Sequence, residues 1–484
     1  MNSTKKIRKL SVGVKSSVVY TLSTLFSKGL AIITVPIFTR LMSTSEIGVV
    51  NLFNSWYSMI SVVATLALTS GGFQLALKQF KNERDQYVSS VLSLTSGVAV
   101  CLTIIYLFRP NFWNGITGLS TGLMLLMMLE LFLSPAQQFW LLRQRYEYKY
   151  KAVAIVTFSS ALFAAIISVA AVIHGSNVGV DNLGEIRLYA NYAVLLSVAF
   201  VLWVRTFIKG KTLYNKQYWK FSLSLSIPLI GNSIATQILS VSDRTMISKM
   251  VGNSAVGIYS TLYTVSSLSL IIWQAINASF IPFLYENLEK PEKRNEIKSL
   301  ASKLLAAFAI IAFVLTMMAP EIVRILATNE YYEAIYIMPP IAAGVFLTSV
   351  SNMYSNVLIY HKKTNFIMIS SIIAATVNVV LNYFGIRLFG YMAAAYTTLI
   401  AYIILAVMQA TVSDRVHKKV VGDPKDSVYN TKMFFLLAIL TIICCTACLA
   451  LYRATILRYT IMTIIFIVAF FKRRDLMALL NGKK

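Results

Sequence analysis

Apolar stretches of about 20 residues recur along this chain from Val18 to Phe471, separated by short polar breaks. Each is long enough to cross a hydrocarbon core of about 30 Å as a helix. Inside a bilayer no water is available to the backbone, so a run of this length must satisfy its own N–H and C=O groups, and a helix does so within the segment. The spacing predicts spans at about 18–39, 47–70, 87–108, 121–142, 152–173, 186–204, 221–249, 255–281, 300–320, 338–360, 366–386, 391–410, 433–452 and 457–471. Only 13% of the 484 residues are charged and the mean hydropathy is +0.68, whereas soluble chains average about 25% charged. The expected fold is therefore an all-α polytopic membrane protein of about 14 transmembrane helices.

A net charge of +25 raises the question of nucleic acid as a partner. The Lys and Arg residues answer it by their placement, since they fall in short loops at alternate breaks rather than on one soluble face. Examples are Lys78, Lys81 and Arg84; Arg143, Arg145, Lys149 and Lys151; Lys290, Lys293 and Arg294; and Arg415, Lys418, Lys419 and Lys425. This is the positive-inside pattern. It places both termini in the cytoplasm, gives an even number of spans, and excludes nucleic acid. The basic start, Met1 to Lys15, precedes a long first span without a small-residue cleavage site, so an uncleaved first helix is expected. Cys101, Cys444, Cys445 and Cys448 fall within spans, where apolar packing is expected of them. His174, His361 and His417 read as scattered loop residues, with no metal constellation. No hydrolase motif, phosphate loop or His and carboxylate cluster is present, so neither an enzyme nor a cofactor is expected.

Compared with itself at an offset of 209, the chain lays Arg40 to Gly48 over Lys249 to Gly257. In both segments a basic residue ends one helix, small polar residues make a tight turn, and a glycine sits just inside the next helix. Leu183-Gly184 and Phe389-Gly390 repeat at an offset of 206. Both copies run in the same direction, so the repeat is parallel. Two six-helix lobes are expected, 1–204 and 221–410, followed by two additional helices at 433–471. Paired lobes flanking a substrate path are a transporter plan.

Polar residues lie on helix faces. Ser17, Thr21, Thr24 and Lys28 follow i, i+4, i+7, i+11 spacing in the first span, and Ser233, Gln237, Ser240 and Arg244 repeat it in the seventh. Lys28 is 12 residues from Arg40 and 13 from Lys15, roughly 18 Å from either helix end. That distance is too great for snorkelling, and a charge facing lipid there costs about 2.5 kcal/mol or more, so a water-filled cavity or an ion pair is its expected home. Arg244 is close enough to the outer interface to reach it. The two acids within spans are Glu130, which shares a face with Ser134 and Gln137, and Asp243, and both are candidates for ion coupling. Glu130 lies within about one helical turn of Lys28 in depth, which leaves open a structural pair or a proton or sodium site. Tyr259 and Tyr263 in the eighth span, and Asn378 with Asn382 in the eleventh, suit sugar rings and hydroxyls; interhelical packing is the alternative for each.

The segment Ser17 to Gly48, with Val35-Pro36-Ile37-Phe38-Thr39-Arg40 before the turn, its echo from Asp243-Arg244 to Gly257, and the stretches Pro320 to Ala327 and Tyr331 to Ala334 resemble the polysaccharide repeat-unit flippases. These are the O-antigen translocases, or Wzx proteins, of the multidrug/oligosaccharidyl-lipid/polysaccharide exporter superfamily. The resemblance covers most of the chain. It implies a bacterial inner-membrane protein that exports an undecaprenyl-pyrophosphate-linked oligosaccharide to the outer leaflet, for O-antigen or capsule assembly. The implied route is a central cavity that alternates its opening, with H+ or Na+ coupling, membrane lipid around it and polysaccharide polymerase partners. Cationic cavities in the group cast Lys28 and Arg244 as counter-ions to pyrophosphate or acidic sugars. A multidrug and toxin extruder of the same superfamily, exporting organic cations, is the nearest alternative. A membrane-embedded sugar polymerase or ligase is the more distant one, and the outer loop at about 321–337 is short for it and lacks His.

Overall fold

The computed structural model describes residues 12–70 and 72–471, and in them the apolar runs become long helices with no strand. We number the long helices α1 (Val12–Leu41), α2 (Thr44–Ala64), α3 (Arg84–Phe108), α4 (Thr121–Tyr146), α5 (Tyr150–Val178), α6 (Leu183–Gly210) and α7 (Lys216–Met250). Then follow α8 (Asn253–Ser266, continuing as Ser269–Asn287), α9 (Arg294–Met317), α10 (Met338–Tyr360), α11 (Thr364–Phe389), α12 (Ala393–Val421), α13 (Thr431–Leu451) and α14 (Thr455–Phe471). Each corresponds to one expected span. Twelve are long and apolar enough to cross a membrane, and α7, bent by 47° between Ile227 and Leu229, makes a thirteenth. The fourteenth, α14, is short, apolar over Thr455–Ile467. The basic stretches 1–11 and 472–484, which contribute to the expected topology, lie outside the described residues.

Local chemistry sets the helix starts. Ser43 caps α2 in a reciprocal box: its hydroxyl accepts from the Glu46 N–H at 3.3 Å, and the Glu46 carboxylate accepts from the Ser43 N–H at 2.8 Å. Ser120, Asn215 and Asn430 cap α4, α7 and α13 through their side-chain oxygens. Four short α-helices among the described residues went unread in the sequence, one of them the single turn Asn329–Tyr332. The chain leaves α2 at Ala64 rather than near residue 70, because Leu66 and Ala67 adopt φ of 51° and 49° and turn it into the helix Gly72–Gln79. Pro110–Thr117 and Ala319–Leu326 lie at the ends of α3 and α9, repeating at the 209-residue spacing.

Two compact units result, Met1–Gly257 and Ile258–Lys484. In the first, α1 packs on α5, α5 on α6, and α4 on α3 and α6. The division comes later in the chain than the repeat places it, because α7 packs on α2, α3 and the Gly72–Gln79 helix. Its N-terminal end joins a dense aromatic core of Phe73, Phe80, Tyr87, Phe139 and Tyr218, where the Tyr87 and Ser222 hydroxyls meet at 3.0 Å. Between membrane helices such rings are held by close packing rather than by exclusion of water, and aromatic pairs add about 0.5–1.5 kcal/mol each. In the second unit α10 is the central element, packed on α12 and α13. Tyr452, at the end of α13, donates to the Thr316 carbonyl of α9 at 3.0 Å, so this added helix is part of the unit's core.

Candidate functional site

Polar side chains gather inside the first unit. On α2, Asn54 and Tyr57 are three residues apart and so share a face. The Tyr57 hydroxyl donates to Glu130 Oε1 at 3.3 Å and meets the Ser134 hydroxyl at 3.0 Å, both on α4. From α6, the Tyr192 hydroxyl donates to Asn54 Oδ1 at 3.3 Å. Glu130 is buried, with 6% of its surface exposed. Its Oε2 has no hydrogen-bond partner, and among the described residues it forms no ion pair. A buried carboxylate with one oxygen free is a place for a proton or a small cation.

Next to this network is a cavity of about 250 Å³, lined by Ser27, Thr34, Asn54, Ser168, Arg187 and Asn191 among others. The Arg187 guanidinium lies over the Phe38 ring, 3.7 Å from its centroid. Asn54 lines the cavity and also accepts from Tyr192, whose ring lies edge-on to that of Tyr57 with centroids 6.3 Å apart, so the open space borders the Glu130 cluster. Sequence reasoning found Glu130 and Ser134 but missed Asn54, Tyr57, Arg187 and Tyr192. The polar stripe Asn51, Asn54, Ser58, Ser61 along the second span was the available signal.

The residues expected to line a path are placed as follows. On α1, the cavity-lining face is Ser27, Ala31, Thr34 and Phe38, and the stripe Thr21, Thr24, Lys28 points about a quarter-turn away from it. Thr21 and Thr24 are exposed and Lys28 half-buried, and the Thr24 hydroxyl donates to its own helix at the Tyr20 carbonyl, 2.9 Å away. The side chain of Ser17 lies outside the described residues. On α7, Gln237 and Arg244 are half-buried, and Arg244 Nη1 donates to the Ser240 carbonyl at 3.3 Å. Asp243 is buried and accepts the Arg244 N–H at 2.8 Å. In the second unit Tyr259 is buried and Tyr263 half-buried, their ring centroids 6.0 Å apart. Asn378 is fully buried; it donates to Thr398 at 3.1 Å and accepts from Asn382 at 3.2 Å, tying α11 to α12.

The histidines depart from the expectation of scattered loop residues. His417 is on α12, and its Nδ1 lies 3.1 Å from His361 Nε2. On its other side, Nε2 meets Asp426 at 3.2 Å, and Arg294 grips that carboxylate with two bonds of 2.8 and 2.7 Å. Among the described residues no group of three or more metal-ligating side chains is placed to hold a metal.

Long apolar helices, with a polar network held inside the first unit, define a multi-pass membrane protein, and its likeness to known proteins gives it the exporter fold of the MOP superfamily. The chain is similar to the lipid II flippase MurJ in an inward closed conformation, with a TM-score of 0.63 and 17% identity, covering 95% of this chain and 100% of that one. It is similar to an inward-facing MATE family multidrug resistance transporter of the MOP superfamily at a TM-score of 0.63 and 14% identity, covering 84% of this chain and 96% of that one. The chain belongs to the polysaccharide biosynthesis protein family, whose family model matches residues 14–288, and a MatE model matches residues 228–384. It is also 21% identical over 412 residues to the probable low-salt glycan biosynthesis flippase Agl15 of Haloferax volcanii, 82% of each chain.

Proposed function

We propose that the protein is a flippase that moves an undecaprenyl-pyrophosphate-linked oligosaccharide from the cytoplasmic to the outer leaflet of a bacterial inner membrane by alternating access, for surface polysaccharide assembly. Membership of a polysaccharide biosynthesis family and the likeness to Agl15 support the class of cargo. The observation that carries the reading is Lys28, a cation in the middle of a membrane helix on a polar stripe whose threonines are exposed. A pyrophosphate crossing the bilayer needs a compensating charge at that depth, where water screens less than outside. In this reading the residues that serve the cargo are Thr24 and Lys28 of α1 and Gln237 and Arg244 of α7 in the first unit, and Tyr259, Tyr263 and Asn378 in the second. Glu130 and Asp243 are the candidate sites for coupling to H+ or Na+. Glycan delivered to the outer leaflet is then taken up by polysaccharide polymerases.

The unpartnered oxygen of Glu130 favours a second reading, a multidrug and toxin extrusion antiporter for organic cations, in which Glu130 and not Lys28 meets the cargo. Surface polysaccharide separates the two. Lys28→Ala abolishes export at normal membrane levels, and Lys28→Arg retains more of it than Lys28→Gln, because Arg supplies charge where Gln supplies only hydrogen bonds. Since Glu130 is bonded to Tyr57 rather than to a cation, pairing Lys28→Gln with Glu130→Gln does not restore export. Full surface polysaccharide in Lys28→Ala overturns the flippase mechanism.

A further inference from the structure

The first unit carries a second cavity, of about 270 Å³, at the ends of α3 to α6 where the basic loops lie. Its charged wall is made by Asp85, Arg143, Glu147, Lys149, Arg205 and Lys209, and its apolar part includes Trp140. Both carboxylates are already engaged. Arg143 reaches Asp85 at 2.5 Å and Glu147 at 3.0 Å, and Glu147 also meets Lys149 at 2.5 Å and Arg84 at 3.6 Å. Arg205 and Lys209, one helical turn apart on α6, line the same cavity and have no carboxylate within ion-pair distance among the described residues. Four cations therefore face two spent acids, which leaves a surplus of two positive charges in a concave site.

We propose that this cavity binds the phosphate group of an anionic membrane lipid, with Arg205 and Lys209 as its direct ligands and Arg143, held in place by Asp85 and Glu147, behind them. The site lies at the ends of membrane helices, level with lipid head groups. Trp140, partly packed into the aromatic core, offers the amphipathic surface that suits the glycerol and upper acyl region. A phosphodiester supplies the charge the wall lacks, and juxtamembrane Lys and Arg attract such lipids individually. The site is separate from the Glu130 network and does not depend on what cargo is carried.

The test uses the full-length protein in nanodiscs of phosphatidylglycerol mixed with phosphatidylcholine, washed in detergent, with retained lipid counted by native mass spectrometry. The variant Arg205→Gln with Lys209→Gln lowers phosphatidylglycerol retention by roughly 25-fold, at about a fivefold effect per cation. Lys78→Gln with Lys81→Gln removes two exposed charges outside the cavity and leaves retention unchanged. Arg205→Lys with Lys209→Arg preserves the charge and the retention, which separates loss of the site from loss of folding. Equal losses in the two Gln pairs overturn the site. In a second arm, millimolar inorganic phosphate is added to delipidated protein; protection against thermal unfolding equal to that from phosphatidylglycerol would assign the site to a free anion and overturn the lipid assignment.

Discussion

Burying a carboxylate costs several kcal/mol unless hydrogen bonds or a partner charge offset it. Glu130 has one hydroxyl donor from Tyr57 and a second oxygen without any, so the fold retains a group that packing alone would replace. That it lies in a span was legible in the sequence; that Tyr57 bonds it and Tyr192 packs on Tyr57 was not, because the two tyrosines are brought from α2 and α6 by tertiary packing. The histidine pair makes the same point with a measurable consequence. His361 follows α10, and burial lowers its pKa below the ordinary 6.5, with His417 and Arg294 pushing the same way and Glu289 opposing. The folded chain thus binds this proton less well than the unfolded one. Its contribution to stability is complete above pH 6.5 and declines as pH falls below it. The unfolding midpoint in detergent drops between about pH 7.5 and pH 5.5, and His361→Gln flattens that dependence.

At the level of helices and turns, the 209-residue repeat turns out to be a contact as well as a pattern. The Thr44 and Ser254 hydroxyls meet at 2.7 Å. A Cβ on Gly48 would overlap the Asn253 carbonyl, and one on Gly257 would overlap the Thr44 carbonyl, so each copy of the turn presses its glycine against the start of the other copy. Gly184 repeats the arrangement at the start of α6, where a Cβ would stand 2.7 Å from the Glu46 carbonyl oxygen, and the Leu183 N–H donates to the Glu46 carboxylate at 2.5 Å. Overpacking of this kind costs about 1–3 kcal/mol. Gly48→Ala and Gly257→Ala lower the thermal midpoint of the purified protein. Gly97→Ala, where a Cβ meets nothing within 4 Å, leaves it unchanged or raises it, since alanine is the better helix former. The glycines were visible in the sequence as small residues after turns, but their partners across the fold were not.

For the molecule as a whole, orientation is the property that remains a proposal, and the loop between α12 and α13 is the place to measure it. The positive-inside pattern puts this loop in the cytoplasm. Asn430 caps α13, so a label there would cost about 1 kcal/mol of helix stability. Lys425 is exposed in the same loop and is the better site. In a background without native cysteines, Lys425→Cys is not modified by an impermeant thiol reagent in intact cells and is modified once the membrane is opened; labelling from outside inverts the topology.

Hydrophobic length alone determined the number, order and approximate ends of the fourteen helices, because a bilayer penalises every unsatisfied backbone group and so leaves a long apolar run one choice. Gly48, Gly184 and Gly257 were legible for a related reason, since tight turns need small residues at fixed positions. Tertiary structure decided the rest. The same apolar composition serves lipid contact and helix contact equally well, so nothing in the sequence of α7 says that it packs within the first unit, nor that α1 turns Ser27 and Thr34 toward the inner cavity and Lys28 away from it. Those outcomes depend on which helix faces which, and that is set by the shapes of side chains far apart in the chain.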